Sequence, residues 1–142
     1  MNLGQIEDGV FIAPQLMTGQ IEQLAAQGIK TIVNNRPDGE RGFYPASAEV
    51  AKVAAEHGIA YHYIPVDLSG LSMEPVKALA KVLQEAEEPV LLYCASGQRS
   101  STIWALASAG RLSADEIISA GAAIGYNFAP MRPLLTQMAQ AA

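Results

Sequence analysis

The strongest constraint on the fold is an alternation: short apolar, often β-branched runs recur along the chain, separated by longer stretches with helical period. GVFIA (Gly9–Ala13), IKTIVN (Ile29–Asn34), AYHYIPV (Ala60–Val66) and PVLLY (Pro89–Tyr93) read as strands, the last of them apolar almost throughout. Gly9–Ala13, with Leu16–Thr18, predicts an opening strand or hairpin. Between the strands, apolar residues three and four apart predict helices. The first is short, near Ile21–Gln27, and Gly28 ends it. A second opens at Ser47, carries Val50, Val53 and Ala54 on one face and closes at His57 and Gly58. A third is capped by Ser72 and carries Val76, Leu79, Ala80 and Leu83. Further helices are predicted from near Ser100 (Ile103, Trp104, Leu106, Ala107), at the capping-box pair Ser113 and Glu116, and from about Pro130. Parallel neighbours need a crossover of about helix length, so this alternation predicts an α/β fold with a mainly parallel sheet of four to five strands flanked by helices. No internal repeat or low-complexity linker interrupts it, and 142 residues suffice for about one domain, so residues 1–142 read as a single domain.

Composition narrows the function. Half the residues are hydrophobic and 16% are charged, a balance that supports a packed core and not disorder. The net charge of -5 disfavours nucleic acid or an anionic membrane as a partner. A small anionic substrate or phosphorylated molecule stays open, because a local pocket can oppose the global sign. No apolar run approaches the roughly 18 residues of a membrane span, and the amino terminus MNLGQIEDGVF has neither the basic start nor the apolar stretch of a secretion signal. The chain is therefore expected to be cytoplasmic. A single cysteine, Cys94, cannot make an internal disulfide and agrees with a reducing compartment. With only His57 and His62 beside it, no structural metal is expected, nor any other cofactor.

That cysteine stands in the most informative segment, Cys94-Ala95-Ser96-Gly97-Gln98-Arg99-Ser100-Ser101, between the strand PVLLY and a helix. Ligands in open parallel sheets sit at the carboxyl ends of strands, and a helix amino end presents unpaired N–H groups to an anion. Gly97 permits a backbone conformation closed to other residues, small neighbours let the amides of Ala95, Ser96, Gly97 and Gln98 converge, and Arg99 adds a forked cationic donor. The same field favours the Cys94 thiolate. Ser100 is placed to donate to the sulfur and make it a better leaving group. Taken alone, a cysteine after an apolar strand reads as a small buried hydrophobe; the surrounding loop turns the reading toward an anion-binding nucleophile.

The loop resembles the catalytic loop of cysteine phosphatases, which place five residues between Cys and Arg; here there are four, similar to the shorter loop of rhodanese sulfurtransferases. A tighter ring suits a persulfide or thiosulfonate. Over most of its length, through NNRPDGE, AYHYIPV, the short Cys loop and GYNFAPMRPLL, the chain resembles the beta-lactamase-hydrolase-like protein phosphatase-like family. The resemblance implies a cysteine-phosphatase-like fold akin to small dual-specificity phosphatases. It departs at Tyr93, where phosphatases usually carry a histidine.

A phosphatase of this kind also needs a general acid for the leaving alkoxide. Asp67, after the strand AYHYIPV, matches the post-strand aspartate of the resembled phosphatases; as part of DLSG it also reads as a turn former. Arg36 and Asp38, in the loop RPDGERGFYP at another strand's carboxyl end, are candidates for the pocket mouth. Arg36 would hold an anionic substrate, and Asp38 would fix Arg36 or act as an alternative acid, against a plain salt-bridged loop. Arg132 reads as a surface or packing residue, Trp104 as core packed under the loop. Three functions follow: a cysteine-dependent phosphatase acting through a phosphocysteine, a rhodanese-like sulfurtransferase carrying a persulfide on Cys94, and a non-catalytic anion-binding or thiol-sensing module.

Overall fold

In a computed structural model that describes residues 3–141, five strands form one sheet in the order β1 (Gly4–Glu7), β2 (Val10–Ala13), β5 (Val90–Tyr93), β3 (Thr31–Asn34), β4 (Ala60–Tyr63). Strands β1 and β2 are an antiparallel hairpin around Asp8 and Gly9, where Gly9 takes φ +80°. β3, β4 and β5 run parallel to β2, with β5 in the middle, paired to β2 on one side and to β3 on the other. The expected mainly parallel α/β sheet is thus present. The hairpin partner of Val10–Ala13 differs: it is the upstream Gly4–Glu7, not Leu16–Thr18, which leads into a short 3-10 turn at Thr18–Gln20. GQIE buries only Ile6 and so gives no strand pattern by itself; pairing with β2 makes it an edge strand.

Side-chain alternation along the strands divides the interior in two. Ile12, Val33 and Leu92 face a core shared with α3 (Met73–Glu85), α4 (Gln98–Ser108), α5 (Ala114–Ala123) and α6 (Arg132–Ala141). Ala13, Ile32, Leu91 and Tyr93 face the other core, with α1 (Ile21–Ala26) and α2 (Ser47–Glu56). β3 and β5 are buried on both faces, which is why β5 reads as a continuous apolar run, whereas β3 carries the buried polar residues Thr31 and Asn34 at its ends. Trp104 is fully buried as core, but its indole N–H donates to Glu7, which Arg111 also grips. Glu7 lies beside Val10, and Val10 is level with Val90, the first residue of β5, so the indole nitrogen reaches the sheet end away from Cys94.

The predicted capping box is formed: Ser113 N donates to Glu116 Oε1 at 3.0 Å and Glu116 N to Ser113 Oγ at 3.1 Å. No helix is long and apolar enough to cross a membrane among the described residues.

Candidate active site

β5 carries the chain through the centre of the sheet and releases it at Cys94, whose side chain is buried. Asn35, at the adjoining end of β3, donates its backbone N–H to the Tyr93 carbonyl at 2.8 Å. The segment after Cys94 turns back at once: Gly97 N donates to Cys94 Sγ at 3.1 Å, and Gly97, at φ +91°, is the N-cap of α4. A Cβ at Gly97 would collide with the Tyr126 hydroxyl, so glycine is required by sterics as well as by backbone conformation. The carbonyls of Ala95 and Ser96 are occupied on the outside, by Gln15 N at 3.1 Å and by the Tyr126 hydroxyl at 3.2 Å. No protein acceptor takes the amides of Ala95 or Ser96 among the described residues. The Gln98 side chain is exposed and donates to Thr102 Oγ1 at 3.3 Å, while its backbone N–H donates to Ser96 Oγ at 3.3 Å.

Arg99 is held at its outer end by a residue that sequence reasoning passed over. Its Nη1 and Nη2 donate to Glu40 Oε2 and Oε1 at 2.6 and 2.9 Å, a bidentate pair, and Nη1 also reaches the Val66 carbonyl at 3.4 Å. Its Nε makes no hydrogen bond to a protein oxygen or nitrogen among the described residues, and the guanidinium lies beside the Cys94 sulfur. The Arg99 bonds hold Glu40's carboxyl below the usual carboxylate range against the opposing effect of burial, with Arg36 adding to them. Glu40 in turn raises Arg99, as does the neighbouring Cys94. The signal for Glu40 was its place in NNRPDGE, in a loop at the same edge as Cys94; its partner is 59 residues away in sequence.

Several expected roles change. Arg36 does not face an open anion site: it donates through Nε to Glu40 (3.1 Å), Nη1 to Gln15 Oε1 (3.0 Å) and Nη2 to the Arg41 carbonyl (2.7 Å), with its guanidinium 3.5 Å from the Tyr44 ring centre. Glu40, and not Asp38, fixes it. Asp38 Oδ1 accepts from Ser47 N at 2.8 Å and so caps α2, whose N-cap Ala46 has no side chain able to do so. Ser100 does not donate to the sulfur, because its one hydroxyl proton goes to Asn35 Oδ1 at 2.8 Å, deep in the interior. Asn35 also donates to the Ile64 carbonyl at 2.8 Å, so this unforeseen residue ties the start of α4 to the ends of β3 and β4.

Asp67 is exposed and fills the turn-forming role of DLSG: its Oδ1 accepts from Ser69 N at 3.0 Å and Ser69 Oγ at 2.6 Å. The Ser69 hydroxyl bond is the chief reason its carboxyl lies below the ordinary range, and the Arg99 charge contributes. Tyr93 packs in the α1–α2 core with its hydroxyl buried and, among the described residues, without a hydrogen-bond partner, and that burial pushes the phenol well up. Arg132 pairs with Asp115 at 2.7 Å on the surface, away from the loop. A cavity of about 390 Å³ between Glu7, Val90 and Arg111 lies at the opposite end of the sheet, and another of about 530 Å³ borders the loop at Ser96 and Tyr126. The chemistry-bearing groups are instead gathered on the carboxyl edge.

A mainly parallel sheet that delivers a cysteine into a short amide loop closed by arginine defines a phosphatase-like hydrolase fold. Residues 2–111 match the family model described as Beta-lactamase hydrolase-like protein, phosphatase-like domain, and the chain belongs to that family. The Beta-lactamase hydrolase-like protein of Agrobacterium fabrum is 33% identical over 129 residues, and that of Xylella fastidiosa (strain Temecula1) 30%; each match covers 89% of this chain. The chain spans 30% of the length of these relatives. Among solved structures, a candidate phosphatase from Neisseria meningitidis superposes with a TM-score of 0.82 at 33% identity, covering 97% of this chain and 99% of that one. PTPMT1 shares the fold at a TM-score of 0.73 and 17% identity, over 99% of this chain and 95% of that one.

Proposed function

We propose that the protein hydrolyses phosphate monoesters through a phosphocysteine on Cys94. The observation that carries this reading is the meeting, at one strand end, of the Cys94 sulfur with the Gly97 amide and with the Arg99 guanidinium, itself fixed by Glu40. Cys94 Sγ attacks phosphorus as the bond to the leaving oxygen breaks. The amides from Ala95 to Arg99 and the Arg99 guanidinium hold the equatorial oxygens, where charge spreads in the transition state. Asp67, whose carboxyl Ser69 holds below the ordinary range, gives a proton to the leaving oxygen from its minor protonated form. Its carboxylate then takes a proton from the water that attacks phosphorus, breaking the P–S bond and returning the thiolate. Arg36 and Glu40 position Arg99, and Ser100 with Asn35 anchors the loop to the sheet. A phosphorylated small molecule or side chain is the substrate class. This agrees with the anions seen in three proteins of the same fold: PI(5)P on PTPMT1, phosphotyrosine on Pseudomonas aeruginosa TpbA and citrate on yeast SIW14.

The test is turnover of aryl phosphates beside Cys94→Ser, which is expected to abolish it. Asp67→Asn should slow esters in proportion to the basicity of the leaving group. An unchanged profile across leaving groups removes Asp67 from the mechanism. Sulfur transfer is the second reading, favoured by the four-residue spacing between Cys94 and Arg99. Transfer from thiosulfate to cyanide without any ester hydrolysis would replace the phosphatase reading.

A further inference from the structure

The Ser96–Gly97 peptide is gripped at both ends. Its carbonyl accepts from the Tyr126 hydroxyl at 3.2 Å, and its N–H donates to Cys94 Sγ at 3.1 Å. In a trans peptide these two groups point in opposite directions, so a bond that fixes one fixes the other. Gly97 makes this peptide the easiest in the loop to turn over, since glycine adopts positive and negative φ with similar ease. Turned over, it would aim a carbonyl at the sulfur and at any bound anion. The preceding peptide needs no side chain to stop this, because backbone Gln15 N holds the Ala95 carbonyl. The Ser96 carbonyl relies on Tyr126.

Tyr126 is well placed to hold it. Its ring stacks on Phe128, with centroids 6.4 Å apart and planes 10° from parallel. Phe128 is buried and lies against Gly121 of α5, where a Cβ would collide with its ring. The phenol is therefore anchored on a second helix layer, independent of the loop it touches. Burial first, then the Cys94 charge, pushes the Tyr126 phenol up, so it keeps its proton to donate.

We infer that Tyr126 is a positioning residue that locks the Ser96–Gly97 peptide with its N–H toward the Cys94 sulfur, keeping the anion loop in its binding conformation. The inference rests on Cys94 being the site's nucleophile but not on which reaction it performs. It extends the site to the GYNFAP segment, and it gives Gly97 a second requirement, room for the phenol as well as a left-handed backbone.

The experiment is the rate of Cys94 alkylation by iodoacetamide as a function of pH, in the full chain, for the native protein, Tyr126→Phe and Phe128→Leu. Tyr126→Phe keeps the ring and loses only the hydroxyl. It is expected to move the alkylation midpoint upward by about one pH unit, making alkylation roughly tenfold slower below the native midpoint, while the thermal midpoint changes little. Phe128→Leu loosens the same segment without removing the hydroxyl. It is expected to lower the thermal midpoint and to move the alkylation profile clearly less than Tyr126→Phe does, because the hydroxyl that holds the Ser96 carbonyl remains. A Tyr126→Phe profile that superimposes on the native one overturns the inference. So does an equal profile shift in Phe128→Leu, or a Tyr126→Phe chain that does not fold, since either makes the contact one of packing alone. Alkylation needs no turnover, so absence of phosphatase activity leaves this result readable and separates the two failures.

Discussion

An arginine on a flexible stem serves an anion only while its fork faces one way, and two paired oxygens at its outer end are an effective means of holding it. Glu40 supplies them to Arg99, and the Arg36 Nε bond holds Glu40. Replacing Glu40 by Ala is expected to lower kcat/KM for aryl phosphates by on the order of a hundredfold through misplacement of Arg99, with the fold retained. The carboxyl is held below its ordinary value of 4.5, chiefly by the Arg99 bonds. Its contribution is therefore complete above that value and is lost as pH falls through the lowered folded value. Arg99 stays charged throughout that range, so an acid loss of stability below pH 4.5 that is smaller in Glu40→Gln than in the native protein would mark this pair, in urea titrations at successive pH values. Cys94 and Arg99 were legible because they are neighbours in one loop. Glu40 and Asn35 were not, since their partners are 59 and 65 residues away and only the parallel sheet brings them to one edge. Arg36 looked like a ligand for substrate because a sequence shows a charge without showing which acceptors already hold it.

At the scale of elements, legibility followed burial. β5 is buried on both faces and was clear as an apolar run, and the equally buried β3 as a short Ile-Val pair between Thr31 and Asn34, whereas β1 buries one residue of four and owes its conformation to the hairpin. α4 begins at Gln98, two residues before Ser100, because the cap is a left-handed glycine and not a hydroxyl side chain. Where the cap is local chemistry, the sequence sufficed: Ser113 and Glu116 satisfy each other's backbone N–H groups. Ser113→Ala leaves the Glu116 N–H at the start of α5 without its side-chain acceptor and is expected to destabilise the protein by about 1 kcal/mol. A urea titration reads this as a lower midpoint with an unchanged slope. The helix matters beyond its own stability, since Gly121 seats Phe128, and Phe128 stacks against Tyr126 above the anion loop.

The chain as a whole carries a net charge of -5, yet its proposed substrate is an anion. The structure reconciles the two by concentrating donors at one sheet edge: two guanidinium groups share one carboxylate, and the first turn of α4 faces the same loop. That edge joins segments distant in sequence, namely the end of β5, the start of α4, the loop after β3 and, through the Val66 carbonyl, the chain after β4. An anion in the loop touches groups that are assembled only in the folded state, so its binding must add to global stability. Inorganic phosphate at a hundredfold excess over its Kd is expected to raise stability by about 2.7 kcal/mol. A thermal shift that grows with the logarithm of phosphate concentration measures it. Cys94→Ser should keep the increment, because the amides and Arg99 remain, and Arg99→Ala should lose most of it. An Arg99→Ala chain that is stabilised as much as the native one would place the anion elsewhere on the molecule and leave the Cys94 loop without its proposed ligand.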